Sequence, residues 1–183
     1  MSAARAPAPG WLPRVARLED GASVELRLLR PDDEPALRRA FDALSSESRY
    51  RRFHGHVPRL SDAAWRYLCR VDDHDHVALV AVTAAGGIVA VARFVRLRER
   101  SSEAELAVTI ADAWQSRGLG SLMTCALADV ALARGVTTLR AHVLPGEAAI
   151  ERIVSRLGQA TSRRDAREVV LDVHLGGAVH SRE

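Results

Sequence analysis

One carboxylate interrupts an otherwise apolar run, AELAVTI, at residues 104–110. Glu105 in that run is a candidate general base, since a strand can hold a carboxylate beside a bound ligand and aim it at a proton to be removed. The plainer alternative is a strand residue facing water, as one face of an antiparallel sheet often does. Glu103 is a second acid, nearer the preceding loop. Shortly after comes QSRGLG (115–120), followed by the helical pattern SLMTCALADVALARG. Gly118, Gly120 and Ser121 leave the backbone bare at the mouth of that helix, where unpaired N–H groups and the helix dipole suit a phosphate. An ordinary strand–helix turn would need the same flexible residues. A Walker loop requires a lysine, and the chain contains none; a dinucleotide G-x-G-x-x-G requires a third glycine where Met123 stands.

Other chemistries have weaker support. VDDHDH (71–76) offers His and Asp side chains, but they are contiguous and lack a second cluster at ligand spacing; His54 and His56 are the nearest candidates. No metal is expected. Cys69 and Cys125 stand in unrelated contexts, which excludes a disulfide framework and suits a reduced, cytoplasmic setting. Cys125 reads as a small buried hydrophobe on the helix. The formal charge is +3, all its cations are arginines, and they are spread along the chain, so no nucleic-acid partner is indicated. No apolar run approaches the ~18 residues of a membrane helix.

The elements that must position these residues follow from periodicity. Strands are expected at 22–30, 76–83, 87–97, 104–110, 136–144 and 167–175, with a hairpin at AAGG. Helices are expected at 31–44, 60–71, 118–134 and 146–158, the last ended by Gly158. SSESRYRRFHG (45–55) is a short arginine-rich segment with a serine able to cap a turn. The 183 residues suit one domain. The Ala/Pro-rich residues 1–20 read as a flexible leader, 21–176 as the folded domain and 177–183 as a tail. The class is α/β (α+β), a single mixed sheet flanked by helices.

The run ELAVTIADAWQSRGLGSLM, then a helix, a strand and GEAAIERIVSRLG, resembles the GCN5-related N-acetyltransferases. It is most similar to the acetyltransferase domain of bacterial protein lysine acetyltransferases, which carry a segment like SSESRYRRF after their first helix. The resemblance covers roughly residues 22–175. It implies a mostly antiparallel sheet whose central strands splay to admit acetyl-CoA, the co-substrate. The pantetheine would lie along Val108, Thr109 and Ile110, and the pyrophosphate on the turn of Gln115, Arg117, Gly118, Leu119, Gly120 and Ser121. A backbone N–H near Val108 would polarise the thioester carbonyl. Glu105 aligns with the subfamily's glutamate base, directly or through a water. A base is needed because freeing a lysine amine of pKa ≈ 10.4 at pH 7 costs about 4–5 kcal/mol. Transfer would be direct, so neither cysteine has to react.

Three positions depart from the family pattern. Glu147 stands where an asparagine is common, Val154 where many relatives carry a tyrosine acid, and Gln159 where Leu-Gly-Phe would end. A thiolate with an ordinary pKa near 8.5 can leave with little help. The implied acceptor is a protein lysine, for example of an acyl-CoA synthetase. The alternatives are a small amine, or a non-catalytic acyl-CoA-binding regulator. A deep acidic pocket would favour a small cationic amine, and a shallow open groove a protein. Larger members of the subfamily carry a further sensing domain, so the chain is either stand-alone or a domain of something longer.

Overall fold

The computed structural model describes residues 8–97, 102–165 and 168–176. Eight strands form one sheet in the order β1-β2-β3-β4-β5-β6-β8-β7. They are β1 (Arg14–Arg17), β2 (Ser23–Leu28), β3 (His76–Val82), β4 (Ile88–Arg96), β5 (Glu103–Ile110), β6 (Thr138–Val143), β7 (Gly158–Asp165) and β8 (Glu168–Leu175). All neighbours pair antiparallel except β5 and β6. That parallel pair is the βαβ crossover through α4 (Leu119–Ala133).

Central β3 reads HVALVAV and is buried along its whole length, as a strand covered on both faces must be. On one face α1 (Glu34–Asp42), α2 (Ser46–Phe53) and α3 (Asp62–Cys69) cover a core of Leu29, Phe41, Trp65, Ala78 and Val80. Phe41 anchors it with edge-on contacts to Phe53 at 5.8 Å and Trp65 at 5.7 Å. On the other face α4 and α5 (Ala148–Ser155) cover Leu79, Phe94, Leu106, Met123 and Leu139. No helix among the described residues is long and apolar enough to cross a membrane.

Three expectations from the sequence are corrected by the fold, and one strand carries no sequence signal. Residues 8–20, assigned to a leader, belong to the fold: Leu12 and Leu18 are buried and β1 pairs with β2. A four-residue strand is too short to show a period. Residues 1–7 and the 177–183 tail lie outside the described residues. SSESRYRRF is a full helix, capped by the Ser45 hydroxyl on the Ser48 amide. Gly158 does not cap α5, which ends at Ser155; it starts β7, where a Cβ would sit 2.0 Å from the His174 carbonyl oxygen. The backbones cross too closely there for any side chain. Finally, β7 reads GQATSRRD, polar and almost wholly exposed, so no hydrophobic alternation announces it; pairing with β8 makes it a strand.

VDDHDH closes a loop. The Asp72 carboxylate accepts from the amides of His74, Asp75 and His76 at 2.8–2.9 Å.

Candidate active site

β5 carries two different edges. Its first four residues pair with β6, Glu103 with Thr138 through Leu106 with Ala141, and the pairing stops there. The remaining residues, 107–110, keep β4 as partner on one side only. The open side is the splay expected of the sheet. Strand alternation decides which groups face it. The Ala111 amide donates to Val89 and the Glu103 carbonyl accepts from Leu97, so odd-numbered residues turn their backbone toward β4. Val108 and Ile110 therefore direct backbone N–H and C=O into the cleft. Thr109, expected beside them, turns its backbone to β4 and its side chain to the opposite face, where it lines a cavity. The Ile110 carbonyl is taken by the Gln115 amide at 3.2 Å, which leaves Val108 as the strand's complete donor–acceptor pair in the cleft.

Gln115 also donates to Ser48 Oγ at 3.1 Å. Next to it the Asp112 carboxylate accepts from the Ser45 amide and from both serine hydroxyls, at 2.7–2.9 Å. The serines of SSES are thus pinned to the turn after β5. The Gln115 side chain acts here as a strut. Asp112 was not singled out in the sequence, because nothing local links it to residues 64–67 positions away.

At the turn, Gly118 adopts φ +81°, and a Cβ there would meet nothing within 4 Å. That is a left-handed cap with open space in front of it. The amides of Gly118, Leu119, Gly120 and Ser121 form the unpaired first turn of α4. Gly120 matters for packing instead, since a Cβ there would press on Ile153 of α5 at 3.2 Å. Arg117 stacks on Trp114 at 4.2 Å and pairs with Asp20. Open amides with room for a ligand fit a pyrophosphate, and a free strand edge leading to them fits an amide-bearing arm.

Glu105 is exposed, one residue before the β5–β6 pairing ends and the cleft opens. It stands opposite Arg140 of β6 on the face that α1–α3 leave uncovered beyond β5. There the Arg140 guanidinium grips Asp172 with contacts of 2.6 and 3.0 Å and reaches Glu103 at 3.5 Å. This grip holds the Asp172 carboxyl below its usual range. Three carboxylates surround one guanidinium, so this open sheet face is acidic. Farther along, Glu168 bridges His142 at 2.7 Å and His54 at 3.0 Å, tying the end of α2 to β6 and β8.

The covered part of the same face differs. Between α1–α3 and the sheet lies about 580 Å³ of empty space, part of it open to solvent, with Phe41, Phe53 and Trp65 among its walls and Ala107 and Thr109 in its floor. Arg52 and Arg93 are its charged groups.

Two departures have structural answers. Glu147 pairs with Arg51 of α2 at 2.9 Å, and Val154, on the inner face of α5, is 2 % exposed in the main core. Gln159 lies exposed in β7, paired with His174.

Comparison with known proteins agrees with this geometry. The family described as "Acetyltransferase (GNAT) domain" matches residues 23–159. Acetyltransferase Pat of Mycolicibacterium smegmatis is 35 % identical over 164 residues, covering 89 % of this chain and 49 % of the relative. The chain thus spans about half the length of that relative. The crystal structure of the GNAT domain of S. lividans PAT matches with a TM-score of 0.84 at 29 % identity, covering 92 % of this chain and all of that one. A phosphinothricin acetyltransferase from Sinorhizobium meliloti, solved with AcCoA, shares the fold at a TM-score of 0.68 and 13 % identity, over 87 % of this chain and 92 % of that one. With the cleft, the bare helix mouth and a family match over most of its length, the chain belongs to the GNAT acetyltransferases.

Proposed function

We propose that the chain acetylates a lysine side chain of a protein, with Glu105 as general base. The observation that carries this is the contrast in charge on the acceptor side. The open face around Glu105 is acidic and uncovered by α1–α3, which suits a lysine presented on a protein surface. The cavity beside it, under α1–α3, is lined by two arginines, which would repel a polyamine or an aminoglycoside. The likeness to Pat points the same way.

The acetyl thioester supplies an activated carbonyl; the chain binds, orients and handles protons. The Val108 N–H faces the cleft, where it can donate to that carbonyl, and its C=O can receive an amide of the pantetheine arm. Ile110 adds an N–H on the same edge. The α4 amides and Arg117 receive phosphate oxygens. Glu105 lies three residues before Val108, about 10 Å along the strand at ~3.3 Å per residue. A lysine amine and one water fill that gap, so the carboxylate can take the amine proton through the water. Buried Val154 offers no proton to the departing thiolate, which draws one from solvent.

The test is release of free CoA from acetyl-CoA by wild type and Glu105→Gln, with an acyl-CoA synthetase as protein acceptor beside a panel of small amines. Turnover on the protein, lost in Glu105→Gln while CoA still binds, is the expected result. Turnover on amines alone would overturn the protein acceptor. CoA-ester binding without turnover on any acceptor would make the chain a sensor.

A further inference from the structure

The cavity under α1–α3 holds charge that the transfer of an acetyl group does not use. Arg93 on β4 is 6 % exposed. Its Nη1 donates to the Leu68 carbonyl and to His76 Nε2, both at 3.1 Å. Accepting from a guanidinium requires a bare lone pair on His76 Nε2, so His76 is neutral; burial and Arg93 push its pKa down to about 4. Among the described residues the other Arg93 donors meet no acceptor, and the side chain lines the cavity. Arg52 of α2 lines it too. It lies 4.9 Å over the Phe53 ring, and no protein acceptor lies within hydrogen-bond distance of it among the described residues. The guanidiniums repel each other: burial, then Arg52, brings Arg93 down to about 10, and burial lowers Arg52, with Glu105 opposing. Both remain cations at neutral pH. Two guanidiniums with spare donors, side by side in a cavity lined mostly by apolar side chains, favour a bound anion between them.

The cavity floor locates that anion. Ala107 and Thr109 flank Val108, the residue proposed to meet the thioester carbonyl. An acyl chain running from that carbonyl past the floor enters apolar space and ends at the arginines. We infer that this cavity is a carboxylate subsite for the acyl donor, so that the enzyme takes dicarboxylic acyl-CoA esters of the succinyl type and transfers a carboxyl-bearing acyl group. The same chemistry, a carboxylate on a short apolar stem, could instead arrive on the acceptor. The position of the cavity floor beside Val108 favours the donor. The transfer balances as for acetyl: the amide C–N bond forms as the thioester C–S bond breaks, Glu105 takes the amine proton, and the thiolate leaves and is protonated by water.

This inference rests on the reading of the β5 edge as the acyl-CoA site. The experiment is calorimetric binding of acetyl-CoA, butyryl-CoA and succinyl-CoA to the full chain. Butyryl matches succinyl in length and lacks the carboxylate. Succinyl-CoA should bind tighter than butyryl-CoA by roughly 10- to 100-fold, the range of charge-assisted hydrogen bonds. Arg52→Gln should collapse the ratio toward one, and Arg52→Lys should keep part of it. A wild-type ratio of one overturns the proposal, whatever the variants do. If the ratio is one but free butyrate binds to the enzyme saturated with acetyl-CoA, the subsite serves the acceptor and the donor assignment is wrong. If none of the esters binds, the acyl-CoA reading of the β5 edge fails instead.

Discussion

The face of the sheet that carries Glu105 is divided in two. From β2 to β4 it lies under α1–α3, mostly apolar, with the guanidiniums of buried Arg93 and half-buried Arg52 as its charges. From β5 to β7 it is bare, and its charges are mostly carboxylates in water. β5 is the border, since Ala107 and Thr109 floor the cavity while Glu105, on the same side of the strand, is exposed. One strand can serve both halves because side chains on a face recur every second residue, and a helix edge can end between two of them. The difference teaches that charge is placed by cover. Where helices exclude water, a cation needs a bound anion or a neutral acceptor such as His76; where they do not, clustered carboxylates are tolerated.

This contrast can be broken at its border first. Glu105→Gln should lower kcat by about 10²- to 10⁴-fold, the usual scale for a general base, with CoA affinity retained. A rate close to wild type in steady-state assays would remove the catalytic meaning of the open half.

The covered half should hold the stability. Phe41→Ala, at the centre of the aromatic cluster, should cost about 3–5 kcal/mol in denaturant unfolding, whereas Thr161→Ala on the exposed face should stay within about 0.5 kcal/mol. Equal losses would mean that the two halves do not differ in packing.

His76 sharpens the same point through pH. Its pKa is about 4 in the fold against an ordinary 6.5. The unfolded chain therefore takes up the proton first, and stability present above pH 6.5 is lost as pH falls toward 4. Between pH 7 and 5 the loss should be about 2 kcal/mol, from 1.36 kcal/mol per pKa unit. His76→Gln keeps an acceptor for Arg93 and should flatten this slope in urea titrations at the two pH values. An unchanged slope would assign the acid loss to other groups.

The smallest effect is expected at the helix mouth. Gly118→Ala should destabilise by about 1 kcal/mol through its positive φ, since the added Cβ meets nothing. A larger loss in thermal unfolding would reveal a contact that the open space does not provide.

Much of the candidate site has a local signal in the sequence. Glu105 stands out because a carboxylate in AELAVTI breaks an apolar run, and QSRGLG because glycines at a helix start have a backbone meaning. β2 to β6 and α4 follow from periodicity to within a few residues. Other features left no local signal. Thr109 was grouped with Val108 and Ile110, yet its backbone faces the other way, a matter of strand parity that becomes readable once a hydrogen bond such as Ala111 to Val89 is known. SSESRYRRFHG reads only as a short arginine-rich segment, yet its Arg52 lines a cavity with Arg93, 41 positions away. Asp112 looks like any turn residue until it meets Ser45 and Ser48.

By itself, the sequence determined what depends on neighbours along the chain: the capped and bare helix ends, the apolar strands, and the carboxylate and glycines that can do chemistry. Tertiary structure alone decided what depends on pairing and cover. It ended the β5–β6 ladder at Leu106, made a strand of polar β7, drew residues 8–20 into the fold, and enclosed two arginines while leaving Glu105 in water. The physical reason is that hydrogen-bond partners and exclusion of water are set by residues far away in sequence, whereas backbone preference and periodicity are local.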